Sequence, residues 1–107
     1  MGSWEDLFEG LKGDLVNETK EEVANLLGWA KSDTSDFVRA QGLKIEGYLN
    51  QLADGAITKD QFAGYMRDQE RLLKMQKLKL QAAEKASAQR LIKGITKEIL
   101  DRLLKLI

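Results

Sequence analysis

Residues 58–107 read TKDQFAGYMRDQERLLKMQKLKLQAAEKASAQRLIKGITKEILDRLLKLI, nearly half of a 107-residue chain. The stretch holds no proline and only two glycines, Gly64 and Gly94, so nothing in it obliges a helix to stop. At ~1.5 Å rise per residue, an unbroken helix here would reach roughly 75 Å. A compact domain of this length has a radius of gyration of only about 13 Å. The segment therefore either folds back on itself or projects and meets a partner.

Spacing within the stretch sharpens the choice. On a wheel of 100° per residue, Phe62, Tyr65, Met66, Leu72, Leu73, Leu80, Ala83 and Leu91 form one apolar stripe, interrupted by Gln69, Gln76 and Ser87. Polar residues on such a seam set register or oligomer state at some cost in stability. From Ile92 onward the stripe is Ile92, Ile95, Ile99, Leu103 and Leu106, with its centre rotated by roughly 140°. Heptad drift amounts to only ~20° per heptad and cannot produce that shift. Either the helix breaks near residues 87–94, or its two portions face different partners. The strong helix propensity of Ala82-Ala83-Glu84-Lys85-Ala86-Ser87-Ala88 favours a continuous helix with two interfaces.

Working toward the N-terminus, Asp54-Gly55-Ala56-Ile57 is a turn in which Gly55 takes the left-handed conformation that closes a helix. Thr58 and Gln61 then match a capping box. The preceding helix is expected over 33–53, opened by the capping cluster Ser32-Asp33-Thr34-Ser35-Asp36 and carrying Phe37, Val38, Ile45, Tyr48, Leu49 and Leu52 on one face. Gly42 and Gly47 fall inside it, either weakening it or letting a neighbour approach closely. A first helix is expected over 3–31, capped by Ser3, with Trp4, Leu7, Phe8, Leu11, Leu15, Val23, Leu26 and Ala30 on its apolar face and a bend near Gly13.

The 54–61 turn also reads as a degenerate calcium loop, with Asn50 and Asp54 at ligand positions. Leu52 and Gln61 stand where oxygen donors are required, and a neutral Gln supplies no bidentate carboxylate. No metal is expected there. The hairpin around Leu49, Leu52, Gly55, Ile57, Thr58, Gln61, Phe62 and Leu72-Leu73 resembles the short helical C-terminal hairpin of many bacterial proteins known as SHOCT. Members of that family usually carry an acidic residue where Gln61 stands. The resemblance covers about a quarter of the chain, implies an interaction or oligomerisation element, and supplies no catalytic residue.

Composition narrows the chemistry. With no Cys and no His, disulfides, thiolate nucleophiles and imidazole bases are unavailable. No glycine-rich phosphate loop, nucleophile elbow or metal-binding helix motif occurs, and the acidic residues show no convergent pair. The expectation is a protein that is not an enzyme and takes no cofactor or small-molecule substrate. Net charge is zero, yet residues 1–70 carry seven Lys/Arg against fourteen Asp/Glu, and residues 71–107 carry ten against three. Such polarity favours antiparallel packing of the halves or association with a second molecule. Arg71, Lys74, Lys77 and Lys85 form a basic stripe, but no aromatic residue follows Tyr65, so nucleic acid is not the expected partner. No apolar run approaches the ~20 residues that span a bilayer, and the acidic Met1–Asp6 start lacks the features of a secretory signal, which points to the cytoplasm. Leu7 stands where an N-myristoylation pattern on Gly2 would need Ser or Thr.

Taken together, these readings predict an all-α single domain, 1–107: a three-helix bundle with helices at 3–31, 33–53 and 58–106. The segment 91–107 is expected to lack intramolecular cover and to serve association. The function expected is a helical interaction or assembly protein, self-associating as a homo-oligomer or binding a protein partner through Phe62, Leu73, Leu80, Ile92, Ile95, Ile99 and Leu103. The rival is a peripheral membrane protein that lays the amphipathic segment 90–107 on an anionic surface.

Overall fold

In the computed structural model, which describes residues 3–107, every regular element is helical and no strand occurs among the described residues. Met1 and Gly2, and with them the acylation reading, lie outside the described residues. The architecture is an all-α helical bundle with principal extents of 42 × 25 × 24 Å.

The expected helix over 3–31 is two pieces. Trp4–Phe8 is a 3-10 turn, and α1 runs over Asp14–Lys31. Between them Gly13 sits at φ 126°, a backbone state that L side chains rarely adopt, so the helix cannot run through it. The 3-10 turn is held by burial of Trp4 and Phe8, whose rings meet edge to face, and by the Trp4 N–H donating to Asn50 Oδ1 at 2.8 Å. That bond anchors the turn on the end of α2, Asp36–Asp54. Ser35 caps α2, its Oγ accepting the Val38 N–H. Gly55, at φ 79°, closes the helix as its spacing predicts. Thr58 and Gln61 form the reciprocal capping box that opens α3, Lys59–Lys77, with bonds of 2.8 and 3.1 Å.

The stretch 58–106 is not one helix. It folds back at Leu78–Gln81 into α4, Ala82–Gly94, which continues as a π-helical segment, Ile95–Leu103, and a last turn, Leu104–Leu106. The break thus comes before the 87–94 window, where α4 is intact. At the end of α3, the Lys79 and Leu80 N–H groups donate to the carbonyls of Gln76 and Lys77, tightening the last turn to i→i+3 spacing. Gln81 is then extended, at φ −67° and ψ 161°. Nothing in the local sequence demands this turn. Folding back is rewarded at the tertiary level, because it buries Ala88, Leu91, Ile92, Ile95, Ile99 and Leu103.

α4 lies antiparallel to α1 as well as to α3. The Arg90 guanidinium sits 4.2 Å from the Trp29 ring centroid, and Arg102 pairs with Glu22. Between these contacts Gly94 meets Leu26 so closely that a Cβ there would lie 2.5 Å from Leu26 Cδ1. On the α3 side, Lys77 Nζ donates to Gln89 Oε1 at 2.7 Å and Thr96 to Glu70. The π segment accounts for part of the apparent rotation of the apolar stripe. Leu91, Ile95, Ile99 and Leu103 recur every four residues and are all buried. A four-residue step overshoots the 3.6-residue α turn by ~40° each time. The i→i+5 closure of a π-helix enlarges the turn, so a four-residue step no longer overshoots it. The rest of the rotation is the phase reset at Leu78–Gln81.

Candidate interaction surface

The segment expected to be uncovered is covered. Ile92, Ile95, Ile99 and Leu103 are buried inside one molecule, as are Phe62 and Leu73. Leu80 alone among the predicted contact residues is only half-buried, beside the α3–α4 turn. The structure therefore brings six of the seven together as core and leaves the seventh at the surface.

The apolar groups that do face outward are elsewhere. Leu78 is 76% exposed and Met75 67% exposed, the two most exposed of the large apolar side chains that face out of the bundle. They lie three residues apart at the end of α3, with half-buried Leu72 and Leu80 nearby in the chain. Scattered single apolar residues are ordinary on a surface, whereas neighbouring ones form a patch. Cations surround this patch. Lys74 and Arg71 are exposed and engage Glu70 and Asp68 of their own helix at 3.3 and 3.1 Å, weak pairs in open solvent. Lys79 is also exposed, and Lys85 projects from the start of α4. The fold divides the predicted basic stripe: Arg71 and Lys74 stay exposed on α3, Lys77 is half-buried and bonded to Gln89, and Lys85 lies on α4 beyond the turn. Met75 and Leu78 fall off the core stripe, and two large apolar residues on an otherwise charged face are the sequence signal that marks them.

The described residues also form open clefts, one of about 380 Å³ between α1 and α4, lined by Glu22, Leu26, Arg90, Lys93, Lys97 and Glu98 among others. A second, of about 370 Å³, lies where the α1–α2 loop meets the first turn of α4, lined by Asp33, Ser35, Asp36 and Glu84 among others. Its polar groups are spent internally: Ser35 Oγ donates to Glu84 at 2.6 Å and Ser87 Oγ to Asp33 at 3.3 Å. A third, of about 330 Å³, lies between Leu15 and Thr19 of α1 and Asp101, Arg102 and Leu106. Leu15 stands at its mouth, 64% exposed.

Electrostatics are perturbed at the α1–π-segment contact. Hydrogen bonding to Glu98 and to Arg102 holds the Glu22 carboxyl below the usual range. Burial, and then the neighbouring Glu22 carboxylate, push Glu98 up. A hydrogen bond from Thr96 holds Glu70 down. These groups tie helices together, and Glu22 and Glu98 do so at the wall of the open cleft between α1 and α4. The residues of the degenerate calcium loop are likewise engaged by the protein, Asn50 by the Trp4 N–H and Gln61 by the Thr58 N–H. Among the described residues no cluster of three or more acidic side chains is arranged to hold a metal ion. No described helix is long and apolar enough to cross a membrane. No protein-family model matches the chain, and comparisons with curated proteins and with solved structures give no match either.

Proposed function

We propose that this protein is a non-catalytic helical assembly module that associates with its own kind, and that the α3–α4 turn is where association is organised. The observation that carries this reading is the exposed Met75–Leu78 pair set among Arg71, Lys74 and Lys79. Attachment of segment 90–107 to a membrane by its apolar face is disfavoured because Ile92, Ile95, Ile99 and Leu103 are already buried inside the bundle, so that face is offered to a lipid surface only if the bundle opens.

Light scattering across a concentration series tests the proposal. The mass should sit at 12.1 kDa in dilute samples and rise toward a multiple of it in concentrated ones. Leu78→Lys and Met75→Lys should lower the association while leaving the helical circular dichroism unchanged. A mass fixed at one chain at every concentration would overturn the reading.

A further inference from the structure

Resting on the assembly reading, we infer that two copies of the chain exchange residues 82–107, the hinge Leu78–Gln81 straightening so that α3 and α4 become one helix in each copy. Three observations converge on this exchange. First, Leu78-Lys79-Leu80-Gln81 contains no Gly, Pro, Asn, Asp or Ser. All four of its residues are among the better helix formers, so the turn is made from a sequence that prefers to continue the helix. Second, a four-residue connection is short, and short hinges between packed elements invite exchange. Third, the apolar exposure of α3 is concentrated beside the hinge, at Met75 and Leu78. Two straightened helices crossing at their midpoints bring these side chains of both copies together and remove them from water.

In the exchange α4 and the π segment of one copy dock on α1 and α3 of the other, the straightened hinge taking up the phase offset between the two apolar stripes by local over- or under-winding, so that Arg102–Glu22, Glu70–Thr96 and the buried Ile92, Ile95, Ile99 and Leu103 are retained between chains. The two states differ in the hinge, the new Met75–Leu78 contact and the entropy of association. Concentration therefore selects the dimer. Interconversion is slow, because α4 must leave its core before it can enter another.

The chain has no cysteine, so engineered thiols report placement cleanly. Asp33 and Ser87 face each other across the α1–α2 loop and α4 at 3.3 Å. An Asp33→Cys/Ser87→Cys chain, incubated at high concentration and treated with a short bifunctional thiol reagent, should run at twice the chain mass on a denaturing gel. The same chain treated while dilute should run at one chain mass. Two hinge variants set the direction. Gln81→Pro fits the turn, where φ is already −67° and the N–H makes no backbone hydrogen bond, but it breaks a continuous helix. It should lower the dimer fraction by roughly a hundredfold or more. Gln81→Ala removes a polar residue from the cap position and favours the straight helix, and should raise the fraction severalfold. A dimer by light scattering whose cross-links stay within single chains would overturn the exchange and leave the assembly reading standing. A strictly monomeric mass for both the unmodified protein and Gln81→Ala would overturn both.

Discussion

Gly42 and Gly47 look alike in the sequence, two glycines inside one helix, and the structure separates them. A Cβ on Gly42 would lie 2.8 Å from the Ala30 Cβ and 3.4 Å from backbone atoms of α1, none of which can swing away. A Cβ on Gly47 would meet nothing within 4 Å. Gly47→Ala should therefore stabilise by about 0.5–1 kcal/mol, the ordinary helix-propensity gain. Gly42→Ala should destabilise by about 1–3 kcal/mol, because overlap outweighs the same gain. Urea unfolding of the two variants, with equal m-values, checks both signs. The sequence supplied both possibilities for these glycines, but not which belonged where, since that depends on the α1–α2 crossing. The same holds for Gln69. It was legible as a polar break in the apolar stripe, yet only the fold shows it 4% exposed with its Oε1 lacking a protein hydrogen-bond partner.

Among the elements, those with local chemical signals were legible. Gly55 with the Thr58–Gln61 box specified the α2–α3 turn, and Ser35 the start of α2. The α3–α4 turn was not legible, because Leu78-Lys79-Leu80-Gln81 carries helix-favouring residues and is bent by the burial of residues seven to twenty-five positions later. The π segment was equally hidden, since a wheel drawn at 100° presupposes the α turn. Its pairing with α1 makes a testable pH dependence. Glu98 is raised above its unfolded value by burial and by Glu22, so it binds protons more tightly in the folded state. Its contribution is most favourable below the unfolded carboxylate value and is lost as pH rises through the folded one. Glu22 and Glu70 are lowered, and their contributions are present above the unfolded value and lost as pH falls through their folded ones. Glu98→Gln should consequently raise thermal stability at pH 7, with the gain shrinking as pH falls toward about 4.5. A gain that grows on acidification would show that Glu98 is held by Arg102 more than it is opposed by Glu22.

For the whole molecule, residues 58–107 fold back within one chain, and in the proposed exchange the same residues open and find a partner. One chain alone closes its own bundle, with a Cα radius of gyration of 13.5 Å. Two chains in the proposed exchange would reach the same contacts with the long helix open. The charge split follows the same logic, because basic α4 lies along acidic α1 in either state. The most direct test is a spin-label distance within one chain, between Lys59→Cys and Lys105→Cys, diluted into an excess of unlabelled protein. In the monomer fraction the two sites lie at the same end of the α3–α4 hairpin, and the distance should not exceed the bundle's width of about 25 Å. In the dimer fraction they terminate one continuous helix, and the distance should lengthen to about 69 Å at ~1.5 Å per residue. A short distance in both fractions would contradict the account.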